Sequence, residues 1–282
     1  MPTLFPLLRP LCSLVLWSVV VLLSMPDLSS GQSADDEFNP GTDGDVFALA
    51  VQADGKVVVG GHFITLGGQA RNGIGRLNAD GSLDTTFNPG TDTAVLSLAV
   101  QADGKVVVGG IFGTLGGQAR NSIGRLNADG SLDTTFNPGA NGPVFALAVQ
   151  ADGKVVVGGR FITLGGQARN NIGRVNPDGS VDATFNPGPG TDGFVKTLAV
   201  QADGKVVGGG YFTILGGQPR NSIGRLNADG SVDTTFNPGA KNGSVSALAV
   251  QADGKVVVGA NFTTLGGQER SRIEVGKIRV RS

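Results

Sequence analysis

The sequence predicts an all-β fold, a five-bladed β-propeller of four-stranded antiparallel blades. Three observations carry that expectation: a unit of about 49–51 residues repeated five times, four short runs of strand-like residues in each unit, and Asp-Gly turns between them. Phe-Asn-Pro-Gly begins at Phe38, Phe87, Phe136, Phe185 and Phe236, and Gln-Ala-Asp-Gly-Lys begins at Gln52, Gln101, Gln150, Gln201 and Gln251.

Within the first repeat, VFALAVQ and KVVVGGHF are apolar, β-branched runs on either side of Ala-Asp-Gly, and GIGRLN and SLDTTF flank a second Ala-Asp-Gly. Asp bonds to its own turn and Gly accepts positive φ, so each pair reads as a hairpin. The most apolar run belongs nearest the axis and SLDTTF outermost. A stacked β-solenoid, the competing architecture, has shorter coils and lacks paired hairpin turns at this regularity. The fifth copy stops before its fourth strand, whereas Ser33–Gly41 aligns with SLDTTFNPG, Asp35 falling on Asp84 and Phe38 on Phe87. Pairing that N-terminal strand with the last blade would close the ring and remove open sheet edges. After Ile273 the pattern departs, EVGKIRVRS standing in place of GRLNADGSL.

The repeated LAVQADGKVVVGG and RLNADGSLDTTFNPG motifs resemble the delta-60 repeat of bacterial exported β-propellers, across Ser33 to Ile273. The resemblance implies a propeller outside the cytoplasm and brings no established general activity and no catalytic residues. The double glycine is also similar to kelch repeats, but the tyrosine and tryptophan expected downstream are missing.

Residues 1–31 are composed differently: Arg9, an apolar run from Leu11 to Leu23, then small and polar residues. This is the layout of a signal peptide cleaved before Gln32, the alternative being an uncleaved anchor. The apolar run is shorter than the roughly 20 residues a membrane-crossing helix needs. The exported domain is 32–282, with no membrane span after cleavage and no cysteine, so no disulfide supports it. A net charge of −1 and the lack of a basic run exclude a nucleic-acid partner.

Comparison of the copies with each other exposes the candidate site. One position holds His62, Ile111, Arg160, Tyr211 and Asn261; another, near the start of the innermost strand, holds Phe47, Leu96, Phe145, Lys196 and Ser246. No buried environment suits Ile, Arg, Tyr, His and Asn alike, so these positions are expected at the surface. The first strand begins and the second ends on the same rim, opposite the Ala-Asp-Gly turns. That variable rim is the expected binding surface for an unidentified extracellular ligand, a glycan or a cell-surface protein, and the module is expected to be a secreted monomer without cofactor.

Asn78, Asp80 and Asp84 resemble an oxygen-ligand loop for calcium, but the turn explains them and Arg76 stands beside them, so no metal is expected. The alternative function is a hydrolase or lactonase-like enzyme using carboxylates and a divalent cation near the axis, with Asp45, Asp92 and Asp192 as the acids at hand. One histidine and no cysteine after cleavage leave no triad to assemble. The arginines of the Gly-Gly-Gln-Ala-Arg segments, Arg71 and Arg120, are expected to be solvated, and the repeated phenylalanines to pack between blades.

Overall fold

The computed structural model describes residues 40–269. The export segment, the expected closing strand at 33–39 and the irregular stretch after Ile273 lie outside the described residues.

All regular structure among the described residues is β. The inner strands are Asp45–Val51, Val95–Val100, Val144–Val149, Phe194–Val200 and Ser244–Val250. Each pairs antiparallel with a second strand: Val57–His62, Val106–Gly110, Val155–Gly159, Val206–Tyr211 and Val256–Asn261. In the first four repeats a third strand follows on the far side of the second, as in Ile74–Leu77 against Val57–Gly60. The Asp-Gly turn is closed by the Gly55 N–H donating to the Gln52 carbonyl at 3.0 Å, with Gly55 at φ +83°.

The fourth strand is smaller than the sequence suggests. SLDTTF is reduced to a single antiparallel bridge, Leu83 against Leu77, repeated at Leu132, Val181 and Val232. The cause is Asp84, whose Oδ1 accepts from the N–H (3.0 Å) and hydroxyl (2.6 Å) of Thr86 and so bends the chain into a turn. A short hairpin absent from the sequence reading, Thr65–Leu66 with Gln69–Ala70, recurs in every repeat. Its two loop residues, Gly67 and Gly68, both have positive φ, the requirement of the tight turn that matches strand twist.

The core lies between successive sheets. Val58, Ile74 and Phe87 of the first repeat share one cluster with Val95, Val106, Val108 and Phe112 of the second. Phe87, Phe136 and Phe185 are fully buried. A Cβ added at Gly130 would come within 2.6 Å of the Phe87 ring, so the glycine keeps the ring's place between repeats. Each joint is also tied by polar bonds: the Gln52 side-chain amide donates to the Gly104 carbonyl at 3.2 Å, and Gln101, Gln150 and Gln201 repeat this on Gly153, Gly204 and Gly254.

Successive inner strands pack against one another in chain order. In the first inner strand Leu49 is 64% and Val51 67% exposed, while their counterparts Leu98 and Val100 are half-buried. No sheet among the described residues joins the first repeat to the fifth.

Candidate binding rim

The two rims differ in how far their polar side chains are already engaged. On the Ala-Asp-Gly rim, Asp84 Oδ2 accepts from Arg76 Nε and Lys56 Nζ, both at 2.9 Å. The Arg76 guanidinium also donates to the Ala128 carbonyl of the next repeat at 2.6 Å and lies 4.4 Å from the Phe87 ring centroid. The pattern recurs around Asp133, Asp182 and Asp233. Burial raises the Asp84 pKa, but the Thr86 hydroxyl, Lys56, the Thr86 N–H and Arg76 together pull it well below the usual carboxylate range.

These bonds account for the suspected calcium loop. Asn78 donates to the Ser82 hydroxyl, Asp80 accepts from the N–H and hydroxyl of Ser82, and Asp84 is neutralised by two cations. Among the described residues, no group of three His, Cys, Asp or Glu side chains is placed to hold a metal. Arg71 and Arg120, expected in solvent, are instead buried: each guanidinium donates to the preceding carbonyl, and each stem packs over a glycine, Gly75 or Gly124. The missing side chain at that glycine makes room for a leucine, Leu66 or Leu115, whose Cδ2 would lie 2.7 or 2.8 Å from an added Cβ, with the arginine stem at ordinary contact distance beside it.

The opposite rim carries the variable residues. His62, Ile111, Arg160, Tyr211 and Asn261 are all exposed at the ends of the second strands. Phe47, Leu96, Phe145, Lys196 and Ser246 share a property that the sequence did not reveal. In all five repeats the pairing register slips at this residue, between Val46 and Ala48, Val95 and Ser97, Val144 and Ala146, Val195 and Thr197, and Val245 and Ala247. Each variable residue is thus the extra residue of a β-bulge, a device that re-aims a side chain.

In the third and fourth repeats the rim residues meet. The Phe145 ring stands edge-on to Phe194 at 5.8 Å, and Phe194 stacks on Tyr211 at 5.9 Å. Lys196 Nζ reaches the Ser246 hydroxyl of the next repeat at 3.3 Å. Phe194 was missed from sequence because its counterparts, Asp45, Ala94, Pro143 and Ser244, look like linker. The result is a strip of three rings, with Tyr211 62% exposed, and Arg160 and Lys196 are exposed on the same rim.

The acids of this rim hold loops. Asp92 Oδ1 accepts from the N–H groups of Gly113 (2.9 Å) and Thr114 (3.0 Å), and Asp192 does the same for Thr213 and Ile214. Their true counterpart in the first repeat is Asp43, which takes the N–H groups of Ile64 and Thr65, and in the third it is Asn141. Asp45 does not belong to this set; it sits opposite His62 in the strand pair, where the two line a shallow depression of about 290 Å³ with Asp43 and Ile64.

The five repeat matches of a family model, at 52–87, 101–136, 150–185, 201–236 and 251–273, cover more than half of the chain. The chain belongs to the DUF5122 β-propeller family, a domain of unknown function. No curated protein matches its sequence. Among solved structures, a streptogramin B lyase is 18% identical with a TM-score of 0.51, over 76% of this chain and 61% of that one. The computationally designed Ika8 protein is 19% identical with a TM-score of 0.52, over 82% of this chain and 62% of that one. The extracellular domain of BT4673 from B. thetaiotaomicron, described as a one-component system, is 18% identical with a TM-score of 0.49, over 78% of this chain and 25% of that one. The DUF5122 chain thus spans under two thirds of each of these proteins, and at these identities the lyase and the designed protein share the fold with it. No helix among its described residues is long and apolar enough to cross a membrane.

Proposed function

We propose that this DUF5122 chain is an exported, non-catalytic binding module of the delta-60 kind. Its variable rim contacts an extracellular ligand, a glycan or a cell-surface protein, after cleavage before Gln32. Residues 33–39 supply the outer strand that completes the fifth repeat.

The observation that carries this reading is the set of five β-bulges. Each repeat uses the same backbone irregularity to hold a variable residue at the rim, Phe47, Leu96, Phe145, Lys196 and Ser246, four side-chain types in five repeats, while the polar groups of the opposite rim are bonded to one another. A rigid scaffold that presents varied side chains on one edge is suited to recognition. The strip of Phe145, Phe194 and Tyr211 offers rigid amphipathic surface at low entropic cost, and Arg160 and Lys196 supply donors on the same rim.

The test is a screen of the exported chain against glycans, surface polymers and whole cells, repeated after exchanging His62, Arg160 and Tyr211 for the residues of other copies. Loss of binding with unchanged thermal stability is expected. Unchanged binding would remove the rim from the account.

A further inference from the structure

The charges of the variable rim are not spread evenly around it. In the first two repeats the linkers that enter the inner strands carry Asp43, Asp45 and Asp92, and no lysine or arginine stands at the bulges or the strand ends. In the third and fourth repeats the rim carries Arg160 and Lys196, both exposed, against one acid, Asp192. That acid is already engaged: its Oδ1 accepts from the N–H groups of Thr213 (2.8 Å) and Ile214 (2.9 Å), and its Oδ2 from the Thr213 hydroxyl.

The change of sign is not a requirement of the fold. In the third repeat the loop that Asp43, Asp92 and Asp192 hold elsewhere is held by Asn141, whose Oδ1 accepts from the N–H groups of Ile162 and Thr163, both at 2.9 Å. An amide oxygen accepts these bonds as a carboxylate oxygen does, so asparagine removes a charge and keeps the geometry. The charge removed lies close to the one added. Gly142 packs so tightly on Arg160 that an added Cβ would collide with the Arg160 carbonyl, and the Arg160 N–H donates to the Pro143 carbonyl at 2.9 Å. Two residues beyond Pro143 is the Phe145 bulge, the first ring of the strip that continues through Phe194 to Tyr211. In the fourth repeat Tyr211 faces Phe194 in the strand pair, and Lys196 follows Phe194 by two residues. Rings and cations thus share two neighbouring repeats.

Such a sector calls for a ligand that combines flat apolar faces with negative charge. Sugar rings have such faces in series; an acidic peptide has the charge without them, and a neutral glycan leaves Arg160 unpaired. We propose that the third and fourth repeats are the ligand-bearing sector of the rim and that their ligand is an acidic polysaccharide. Its sugar rings lie along Phe145, Phe194 and Tyr211, and its anionic groups, carboxylate or sulfate, pair with Arg160 and Lys196. The planar Arg160 guanidinium suits a two-pronged bond to either group. Lys196 keeps donors to spare beyond its 3.3 Å contact with the Ser246 hydroxyl. The acids of the first two repeats repel the same polymer and so confine it to one sector. The proposal rests on the rim as the binding surface and narrows it to one class of ligand.

The test measures affinity of the exported chain for polygalacturonate, dextran sulfate, neutral dextran, poly-glutamate and polyphosphate, by affinity electrophoresis and titration calorimetry. Binding to polygalacturonate or dextran sulfate is expected, weakening as salt is raised, with the other three polymers bound more weakly. Whichever of the two binds identifies the anionic group. Asn141→Asp restores the carboxylate that other repeats carry in the same two bonds, so it should leave the thermal midpoint unchanged and weaken binding about fivefold. Arg160→Ala with Lys196→Ala, and Tyr211→Ser alone, should each cost about tenfold. Equal binding of poly-glutamate or polyphosphate, no binding of either acidic polysaccharide, or binding that Asn141→Asp and the paired alanine variant leave unchanged overturns the proposal. Cell or glycan binding that Tyr211→Ser abolishes and Asn141→Asp leaves unchanged would keep the rim reading and remove the acidic ligand. Binding that no rim variant alters would remove both.

Discussion

Two arginines of neighbouring repeats show how differently the rims are built. Arg125, on the Ala-Asp-Gly rim, is buried, pairs with Asp133 at 2.9 Å, donates to the Pro177 carbonyl of the next repeat at 2.8 Å and stacks 4.4 Å from the Phe136 ring centroid. Arg160, at the end of a second strand on the other rim, is exposed and has no side-chain bond to any described residue. One rim has its polar groups committed to holding the repeats together, and the other has side chains left over for something else. A residue type therefore says little about role here; its place in the repeat decides.

That contrast can be broken from the committed side first. Asp133→Ala leaves Arg125 buried without its carboxylate and should cost about 3–5 kcal/mol in a denaturant titration. A cost under about 1 kcal/mol would mean that the ion pair is solvated and the contrast is false.

Overpacking a joint comes next. Gly109→Ala places a methyl 2.6 Å from Val144 Cγ1 and 2.4 Å from the Ser97 hydroxyl and should destabilise by about 1–3 kcal/mol. The same change at Gly259, where an added Cβ meets, among the described residues, only Ala247 at 3.3 Å, should cost less than at Gly109.

Acid sharpens the comparison further. Asp84, Asp133, Asp182 and Asp233 are held below the ordinary carboxylate range in the folded chain: burial raises each, and hydrogen bonds and neighbouring cations lower it by more. Their stabilisation is thus fully present above the unfolded value of about 4 and is lost as pH falls through that value toward the folded one. Thermal midpoints should hold steady from neutral pH to about 5 and decline below about 4, and hydrogen exchange should rise first at the Ala-Asp-Gly turns. A decline beginning near pH 6 would point to another group.

The smallest stability effect belongs to the variable rim. Tyr211→Ser and Lys196→Ala should each change folding stability by less than about 0.5 kcal/mol. A larger loss at Lys196 would assign it to the joint it makes with Ser246.

Much of this arrangement could be read from the sequence, because it repeats. The five units, their hairpins, the two rims and the exposure of His62, Arg160 and Tyr211 all follow from period, turn chemistry and the comparison of copies. What escaped depends on relations between strands. Phe145 and Lys196 are bulge residues only because the facing strand has one residue fewer at that point, which a single run of sequence cannot display. SLDTTF alternates like a strand, yet Asp84 bends it because its carboxylate reaches the N–H two residues on. Arg71 looked solvated because what buries it, the stem against Gly75 and the guanidinium on the Ala70 carbonyl, is a relation between strands. The hairpin at Thr65–Ala70 did leave a trace, two adjacent glycines, and Asp43 escaped because Asp45 stood two residues away with the same carboxylate.

The central claim is that recognition resides on the rim of bulges and not on the rim of ion pairs. Binding to whole cells and surface glycans should be compared for Phe145→Ser with Tyr211→Ser on one rim and for Asn78→Ala with Asp80→Ala on the other, each at equal folded concentration. Loss of binding in the first pair with retention in the second is the predicted result, and retention in the first with loss in the second would contradict it.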